Sequence, residues 1–142
     1  MNFKAIALSF ALAAPAVYAC DGAENHAETA GPKKVTVAEL AKMTSAKQVA
    51  VLDANDNAFR AKNGVIPGAI LLTSSSEFAV SELPAKKDTK LVFYCASSMC
   101  SASHGAAAKA VSAGYTDVAV LPDGLMGWKS SGQKTAAFKP NS

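Results

Sequence analysis

Arginine is nearly missing from this chain of 142 residues, which has a single one, Arg60. Because the planar guanidinium is the side chain best suited to clamping phosphate-like anions, a site built from several arginines is excluded. The formal charge of +3 comes from scattered lysines, and no basic run is interleaved with aromatic residues. We therefore expect no nucleic-acid partner.

Long apolar runs are also missing. The apolar stretch at residues 5–14 is shorter than the roughly 20 residues that a membrane-spanning helix needs. Lys4 precedes this stretch, and small residues around Ala19 follow it. This order is typical of an export signal, so residues 1–19 are predicted to be a signal peptide.

Cysteine is scarce as well, with only Cys20, Cys95 and Cys100. Cleavage after Ala19 makes Cys20 the first mature residue, in a setting that resembles a bacterial lipoprotein box, whose cysteine is lipidated. We expect a membrane-anchored lipoprotein that touches the membrane only through this anchor, followed by a flexible tether at residues 20–33. Simple release into the periplasm is the alternative, since Tyr18 is unusual in such a box.

Strand and helix patterns alternate along the rest of the chain. A first short strand is predicted to begin at Val35, and further strands are predicted at residues 48–53, 70–72, 91–94 and 117–121. Helices are predicted at residues 36–43, 56–62, 74–84 and 101–113, and a short helical segment is predicted to end at Trp128. This alternation predicts an α/β fold with a mostly parallel central sheet and helices on both faces. The domain is expected at residues 34–135, with a tail at residues 136–142.

The segment from Cys95 to Cys100 lies between a predicted buried strand and a predicted helix N-terminus. Backbone N–H groups of such a loop converge, and the helix dipole adds positive charge there. We therefore expect the pKa of Cys95 to lie below the value of about 8.5 for a free thiol. The alternative interpretation is an inert buried thiol at a strand end.

Three sequence segments together resemble a single rhodanese-like domain over residues 35–132. They are the strand ending at Asp53, the segment at residues 63–70 with the sequence NGVIPGAI, and the Cys95 strand and loop followed by Gly114 and residues 123–128. Their order and spacing match that family. The resemblance implies a rhodanese-like fold and places its nucleophile at Cys95.

The resemblance also implies an activity, the transfer of sulfane sulfur from a small sulfur donor to a thiol acceptor without a cofactor. Cys95 would hold the sulfur as a persulfide, and Cys100 would serve as a resolving thiol. The main chain of Ala96, Ser97, Ser98 and Met99 would bind the charged sulfur.

Several residues differ from the family pattern, and these differences restrict which sulfur donors we expect the domain to use. Ser98 and Cys100 stand where the family usually has a glycine and often an arginine, and Val65 replaces the usual histidine of the second segment. Without an arginine in the loop, thiosulfate is expected to be a poor donor. Ser101 occupies the place of the arginine in related phosphatases, which argues against phosphatase activity.

Two other classes of function stay open. Cys95 and Cys100 can form a disulfide in an exported protein, and thus a thiol-disulfide redox centre. Alternatively, Cys95, Met99, Cys100 and His104 offer soft ligands for copper or zinc. Asp53, at a neighbouring strand end, is expected to tie a loop rather than to take part in chemistry.

Overall fold

The computed structural model describes residues 31–140, so the predicted signal peptide, Cys20 and nearly all of the tether lie outside the described residues. Within residues 31–140 the chain forms five strands and four α-helices. In chain order these are β1 (Lys33–Lys34), α1 (Val37–Ser45), β2 (Ala50–Asp53), α2 (Asn57–Asn63), β3 (Ile70–Leu71), β4 (Leu91–Tyr94), α3 (Ala102–Ser112), β5 (Val118–Leu121) and α4 (Gly124–Ser130).

All five strands are parallel and stand in the order β1-β5-β4-β2-β3. The strand β4 is central, and its residues Leu91–Tyr94 pair in register with Ala50–Asp53 on one side and Val118–Leu121 on the other. Each of its four residues is fully buried, as expected for a strand covered on both faces. The predicted fold class is confirmed.

Side chains alternate along β4 and so contribute to two separate cores. Leu91 and Phe93 face the helix α3, which packs through small residues such as Ala106. Val92 and Tyr94 face the opposite side, where α1 and α4 cover the sheet. Helices therefore lie on both faces, and by the same alternation the next residue after β4 belongs to the α3 face.

Thr36 followed three residues later by Glu39 is the sequence pattern that predicts a capping box, and the structure confirms this prediction at the start of α1. The Thr36 hydroxyl accepts a hydrogen bond from the Glu39 N–H at 3.2 Å, and the Glu39 carboxylate accepts one from the Thr36 N–H at 2.7 Å. These contacts satisfy two backbone donors at the start of α1.

The predicted helix from Ser74 to about Pro84 is wrong. Only a short 3-10 helix, Val80–Glu82, forms in this segment. Lys109 donates hydrogen bonds to the carbonyls of Ser76 and Phe78 at 3.0 and 2.8 Å, and Phe78 is buried in the core. The Lys109 side chain binds these two carbonyls, and Phe78 is buried in the core. These long-range contacts fix the segment in a non-helical conformation, so no helix starts at Ser74.

None of the helices within residues 31–140 is both long and apolar enough to cross a bilayer. At its far end the fold extends to Ala136, which forms an antiparallel bridge with Val65.

Candidate active site

The strand β4 delivers Cys95 to the carboxyl edge of the sheet, where ligands bind in open parallel α/β folds. Cys95 follows Tyr94 directly and is 1% exposed, on the face covered by α3. The residues Cys95–Cys100 form a tight loop, here called the thiol loop, and α3 starts two residues later at Ala102. The predicted placement between strand end and helix start is thus observed.

The first residues of α4 hold the thiol loop in place. The N–H groups of Leu125 and Met126 donate to the carbonyls of Cys95 and Ala96 at 2.8 and 2.9 Å. Gly124 makes this approach possible: its φ is +59°, and a Cβ there would lie 2.6 Å from the Cys95 carbonyl oxygen. A glycine is therefore required where α4 meets the loop.

Both cysteines of the thiol loop are free thiols. The Cys95 sulfur lies 3.1 Å from the Cys100 carbonyl oxygen, 3.4 Å from the Ser103 hydroxyl and 4.0 Å from the Ser97 carbonyl oxygen. The fold thus brings the two predicted catalytic cysteines into contact.

The two thiols ionise differently. Burial raises the pKa of Cys95, and the hydrogen bond to Cys100 raises it further, against weaker opposing contacts from Ser103. Burial also opposes ionisation of Cys100, but hydrogen bonds from Cys95 and from the Ala96 and Ala102 backbone N–H groups outweigh it, so the pKa of Cys100 is lowered. The expectation of a lowered Cys95 pKa is wrong, because burial of this thiol outweighs the opposing contacts from Ser103.

The middle of the thiol loop forms a turn at the surface. The Cys100 N–H donates to the Ser97 carbonyl at 3.0 Å and closes a turn, with Ser98 exposed at its tip. Met99 points into solvent and is 96% exposed. The main-chain site predicted at Ala96, Ser97, Ser98 and Met99 stays a prediction.

A cleft of about 460 Å³, here called the thiol cleft, opens beside the loop at the carboxyl ends of β2 and β3. Cys100 lines it, but Cys95 does not. Its lining residues carry mostly hydroxyl, amide and small apolar side chains: Ala54, Asn55, Asp56, Phe59, Thr73, Ser74, Ser75, Ala96, Cys100 and Ala102. A cleft of similar volume beside Trp128 contains no residue of the thiol loop, so its position does not suit cysteine chemistry.

Asp53 ties the loop after β2, as expected, and also joins it to Tyr94 at the end of β4. Its fully buried carboxylate accepts hydrogen bonds from the Asn55 N–H at 2.7 Å and from the Tyr94 hydroxyl, and Arg60 Nε lies 3.4 Å away. Arg60 in turn donates to the carbonyls of Asp53 and Leu72 at 3.0 and 2.9 Å. Burial, and then the Asp53 charge, raises the pKa of Tyr94.

Sequence reasoning missed the partners of Asp53. Tyr94 lies in an apolar run and Arg60 in a different segment from the loop, so neither spacing nor composition links them to this carboxylate. Arg60 is only 3% exposed. The single arginine of the chain therefore supports the fold beneath the site and offers no guanidinium to a ligand in the thiol cleft.

The four residues of the alternative metal site do not come together. Met99 is exposed, whereas Cys95 is buried. Within residues 31–140 no group of three or more histidine, cysteine, aspartate or glutamate side chains is placed to hold a metal ion, so Cys95, Cys100 and His104 do not form such a group.

The strand order, the loop between β4 and α3 and the cysteine at its start together define a class of fold. The model of the rhodanese-like domain family matches residues 36–131, and the chain belongs to that family. A comparison with curated protein sequences gives no match.

Solved structures agree with this assignment. The chain is similar to the rhodanese-like domain of a protein from Anabaena sp., with 21% identity and a TM-score of 0.62, covering 74% of this chain and 79% of that one. A rhodanese-related protein from Thermoplasma volcanium is 22% identical with a TM-score of 0.61, covering 75% of this chain and 99% of that one. These two show the fold.

One similar structure is named for an activity. A thiosulfate sulfurtransferase from Pseudomonas aeruginosa is 25% identical with a TM-score of 0.62. The match covers 74% of this chain but only 20% of that one. The similarity thus concerns a single domain of a much longer protein.

Proposed function

We propose that this domain transfers sulfane sulfur. A cysteine of the thiol loop takes one sulfur atom from a small donor, holds it as a persulfide and passes it to a thiol acceptor. The observation on which this proposal rests is the loop itself, which holds Cys95 at the end of the central strand β4, with its sulfur 3.1 Å from the Cys100 carbonyl oxygen, beside an open cleft that Cys100 lines. Membership of the rhodanese-like family and the similarity to a sulfurtransferase domain support the same chemistry.

The reaction needs no cofactor, because the oxidation level of the transferred sulfur does not change. A loop thiolate attacks the terminal sulfur of a donor R–S–SH, the donor S–S bond breaks, and R–S⁻ leaves. An acceptor thiolate then attacks the terminal sulfur of the enzyme persulfide and regenerates the loop thiolate. The family position assigns the persulfide to Cys95, and Cys100 is the second thiol of the pair.

Sulfur transfer is tested by incubating the domain with an alkyl persulfide and an acceptor thiol, and by measuring the persulfide formed on the acceptor. We expect catalysis by the wild-type chain and none by the double variant Cys95→Ser, Cys100→Ser. Acceptor persulfide forming equally fast with both proteins would contradict the proposal.

A thiol-disulfide redox function is the second candidate, and the closeness of the two free cysteines favours it, since the Cys95 sulfur lies 3.1 Å from the Cys100 carbonyl oxygen. It predicts a chain that exchanges disulfides with a reduced partner and does not gain sulfur. Intact mass distinguishes the two functions, since a disulfide removes two hydrogen atoms and a persulfide adds one sulfur atom.

For location, we propose that the domain acts outside the cytoplasm, held to the membrane by a lipid on Cys20. The signal-like residues 1–19 and the cysteine that follows support this proposal. Labelling of the full chain with a radioactive fatty acid in a bacterial host tests it. Label should enter the wild-type chain and not Cys20→Ser, and an unlabelled wild-type chain would contradict it.

A further inference from the structure

Among the side chains that line the thiol cleft, one is charged, and it is the carboxylate of Asp56. Asp56 is exposed at the N-terminus of α2, where one of its oxygens, Oδ1, accepts a hydrogen bond from the Phe59 N–H at 2.7 Å. Within residues 31–140 no lysine or arginine forms an ion pair with it. The negative charge of Asp56 is therefore open to a ligand in the cleft.

A second carboxylate lies directly behind the lining of the cleft. The N–H and hydroxyl groups of Thr73, which lines the cleft, donate to the Glu82 carboxylate at 2.9 and 2.7 Å. Lys109 does not line the cleft, and its ammonium group already binds the carbonyls of Ser76 and Phe78. The charges around the cleft thus favour a cationic ligand over an anionic one.

The cleft also leads to the proposed nucleophile. Ala96 and Cys100 line it, and Cys95 directly precedes Ala96, with its sulfur 3.1 Å from the Cys100 carbonyl oxygen. Ala54 and Phe59 give the cleft an apolar wall against which a short alkyl chain can pack. Its volume of about 460 Å³ is sufficient for a small organic molecule.

We propose that Asp56 is a specificity-determining residue, and that it selects persulfide donors that carry an ammonium group. This inference rests on the proposed sulfur transfer and names its donor class. The Cys95 thiolate forms a bond to the terminal sulfur of the donor ⁺H₃N–R–S–SH while the donor S–S bond breaks. The aminothiolate leaves with the electron pair, and Asp56 makes an ion pair with the ammonium group without taking part in the bond changes.

The test compares three donors of similar size and different charge: 2-aminoethyl, 2-hydroxyethyl and carboxymethyl persulfide. The kcat/KM of each is measured with the same acceptor thiol. In Asp56→Asn, the ratio of the 2-aminoethyl to the 2-hydroxyethyl value should fall roughly two- to fivefold relative to the wild-type chain, as expected for the loss of one exposed ion pair. Comparing this ratio between proteins removes the different intrinsic reactivities of the donors, and asparagine caps a helix as well as aspartate does.

Two further variants distinguish a local effect from a change in overall charge. Asp88→Asn removes the same charge from an exposed turn before β4, at the opposite end of that strand from the cleft, and should keep the wild-type ratio. Ser75→Lys places a cation in the cleft, at a side chain with no recorded hydrogen bond in the described part of the chain. It should lower the ratio at least as far as Asp56→Asn and raise kcat/KM for carboxymethyl persulfide. Circular dichroism and thermal melting show that each variant is folded.

The outcomes separate this inference from the proposed function. If the wild-type chain turns over 2-hydroxyethyl persulfide but its ratio is the same in Asp56→Asn, the assignment to Asp56 fails while sulfur transfer stands. A wild-type preference for carboxymethyl persulfide would overturn the donor class. If the wild-type chain transfers sulfur from none of the three donors, the proposed function fails as well.

Discussion

At the level of single residues, the surroundings of the two loop cysteines distinguish them. Burial raises the pKa of Cys95 and opposes ionisation of Cys100, and the side-chain contact between the two residues raises the pKa of Cys95 further and lowers that of Cys100. Backbone N–H groups contribute to Cys100 as well. A strand-end position alone therefore does not make Cys95 the more acidic thiol.

Alkylation by iodoacetamide measures this difference directly. In Cys95→Ser protein, the pH midpoint for Cys100 should lie below the value of about 8.5 for a free thiol, because only the thiolate reacts. In Cys100→Ser protein, the midpoint for Cys95 should lie above that value, because burial disfavours its charged form. The reverse order of the two midpoints would contradict the ionisation described here.

Gly124 is a second single residue on which the site depends. A Cβ at this position would lie 2.6 Å from the Cys95 carbonyl oxygen and 2.7 Å from the Ser97 nitrogen, and φ is +59°. Gly124→Ala should lower the free energy of unfolding by roughly 1–3 kcal/mol from backbone strain alone, with more from the clash. Urea denaturation measures this loss.

Gly105 provides the matched control for that substitution. It lies inside α3 with nothing within 4 Å of an added Cβ. Gly105→Ala should therefore raise the free energy of unfolding by about 0.5–1 kcal/mol, the usual difference between the two residues in a helix. Equal effects at the two glycines would show that α4 does not need its close approach to the thiol loop.

At the level of elements, Arg60 on α2 joins the carboxyl ends of β2 and β3. It reaches the Asp53 and Leu72 carbonyls and lies beside the buried Asp53 carboxylate. Breaking a buried ion pair costs about 3–5 kcal/mol because one charge is left uncompensated. Arg60→Met should therefore destabilise the domain by about that amount in urea.

Two further variants separate charge from packing in this network. Adding Asp53→Asn to Arg60→Met removes the stranded charge and should recover part of the loss. Lys62→Met, at an exposed position of the same helix, should change the free energy of unfolding by no more than about 0.5 kcal/mol. A loss at Lys62 as large as that at Arg60 would contradict a specific role for the buried pair.

The elements that could be predicted from sequence were those determined by local pattern. The apolar run at residues 91–94 identifies β4, and Thr36 with Glu39 identifies the start of α1. The false helix at Ser74 shows the limit, because Lys109 binds the carbonyls of that segment from a helix more than thirty residues later. Such long-range contacts leave no local signal.

The same limit applies within the candidate site. Local sequence predicted Cys95 at the strand end and Cys100 beside it, but the donors that face each sulfur depend on how the loop closes. The Ser97 carbonyl accepts a hydrogen bond from the Cys100 N–H, and the backbone N–H of Ala96 contributes to lowering the pKa of Cys100. The difference in acidity between the thiols is therefore a property of the folded loop.

At the level of the whole molecule, charge is distributed so that anions find little attraction at the thiol cleft. The lysines are spread over the chain, and the single arginine is buried beneath the sheet edge. A hydrogen bond to a charged group contributes roughly 1.5–3 kcal/mol, so its absence should weaken thiosulfate use by about 10–100-fold.

Steady-state rates with the two donors test this consequence. The kcat/KM for thiosulfate should be lower by about that factor than for 2-aminoethyl persulfide, with the same acceptor thiol. The thiosulfate rate should change little with salt, because no cationic site attracts the anion. Efficient thiosulfate turnover would show that the domain binds the anion by contacts other than a guanidinium.

Sulfur transfer by the thiol loop is tested most directly by the intact mass of the folded chain, isolated without reductant and treated with 2-aminoethyl persulfide. The wild-type chain should gain the mass of one sulfur atom and lose it again when an acceptor thiol is added. The double variant Cys95→Ser, Cys100→Ser is the control, and its mass should not change under the same treatment. A wild-type chain that loses two hydrogen atoms, or whose mass does not change, would contradict sulfur transfer at this loop.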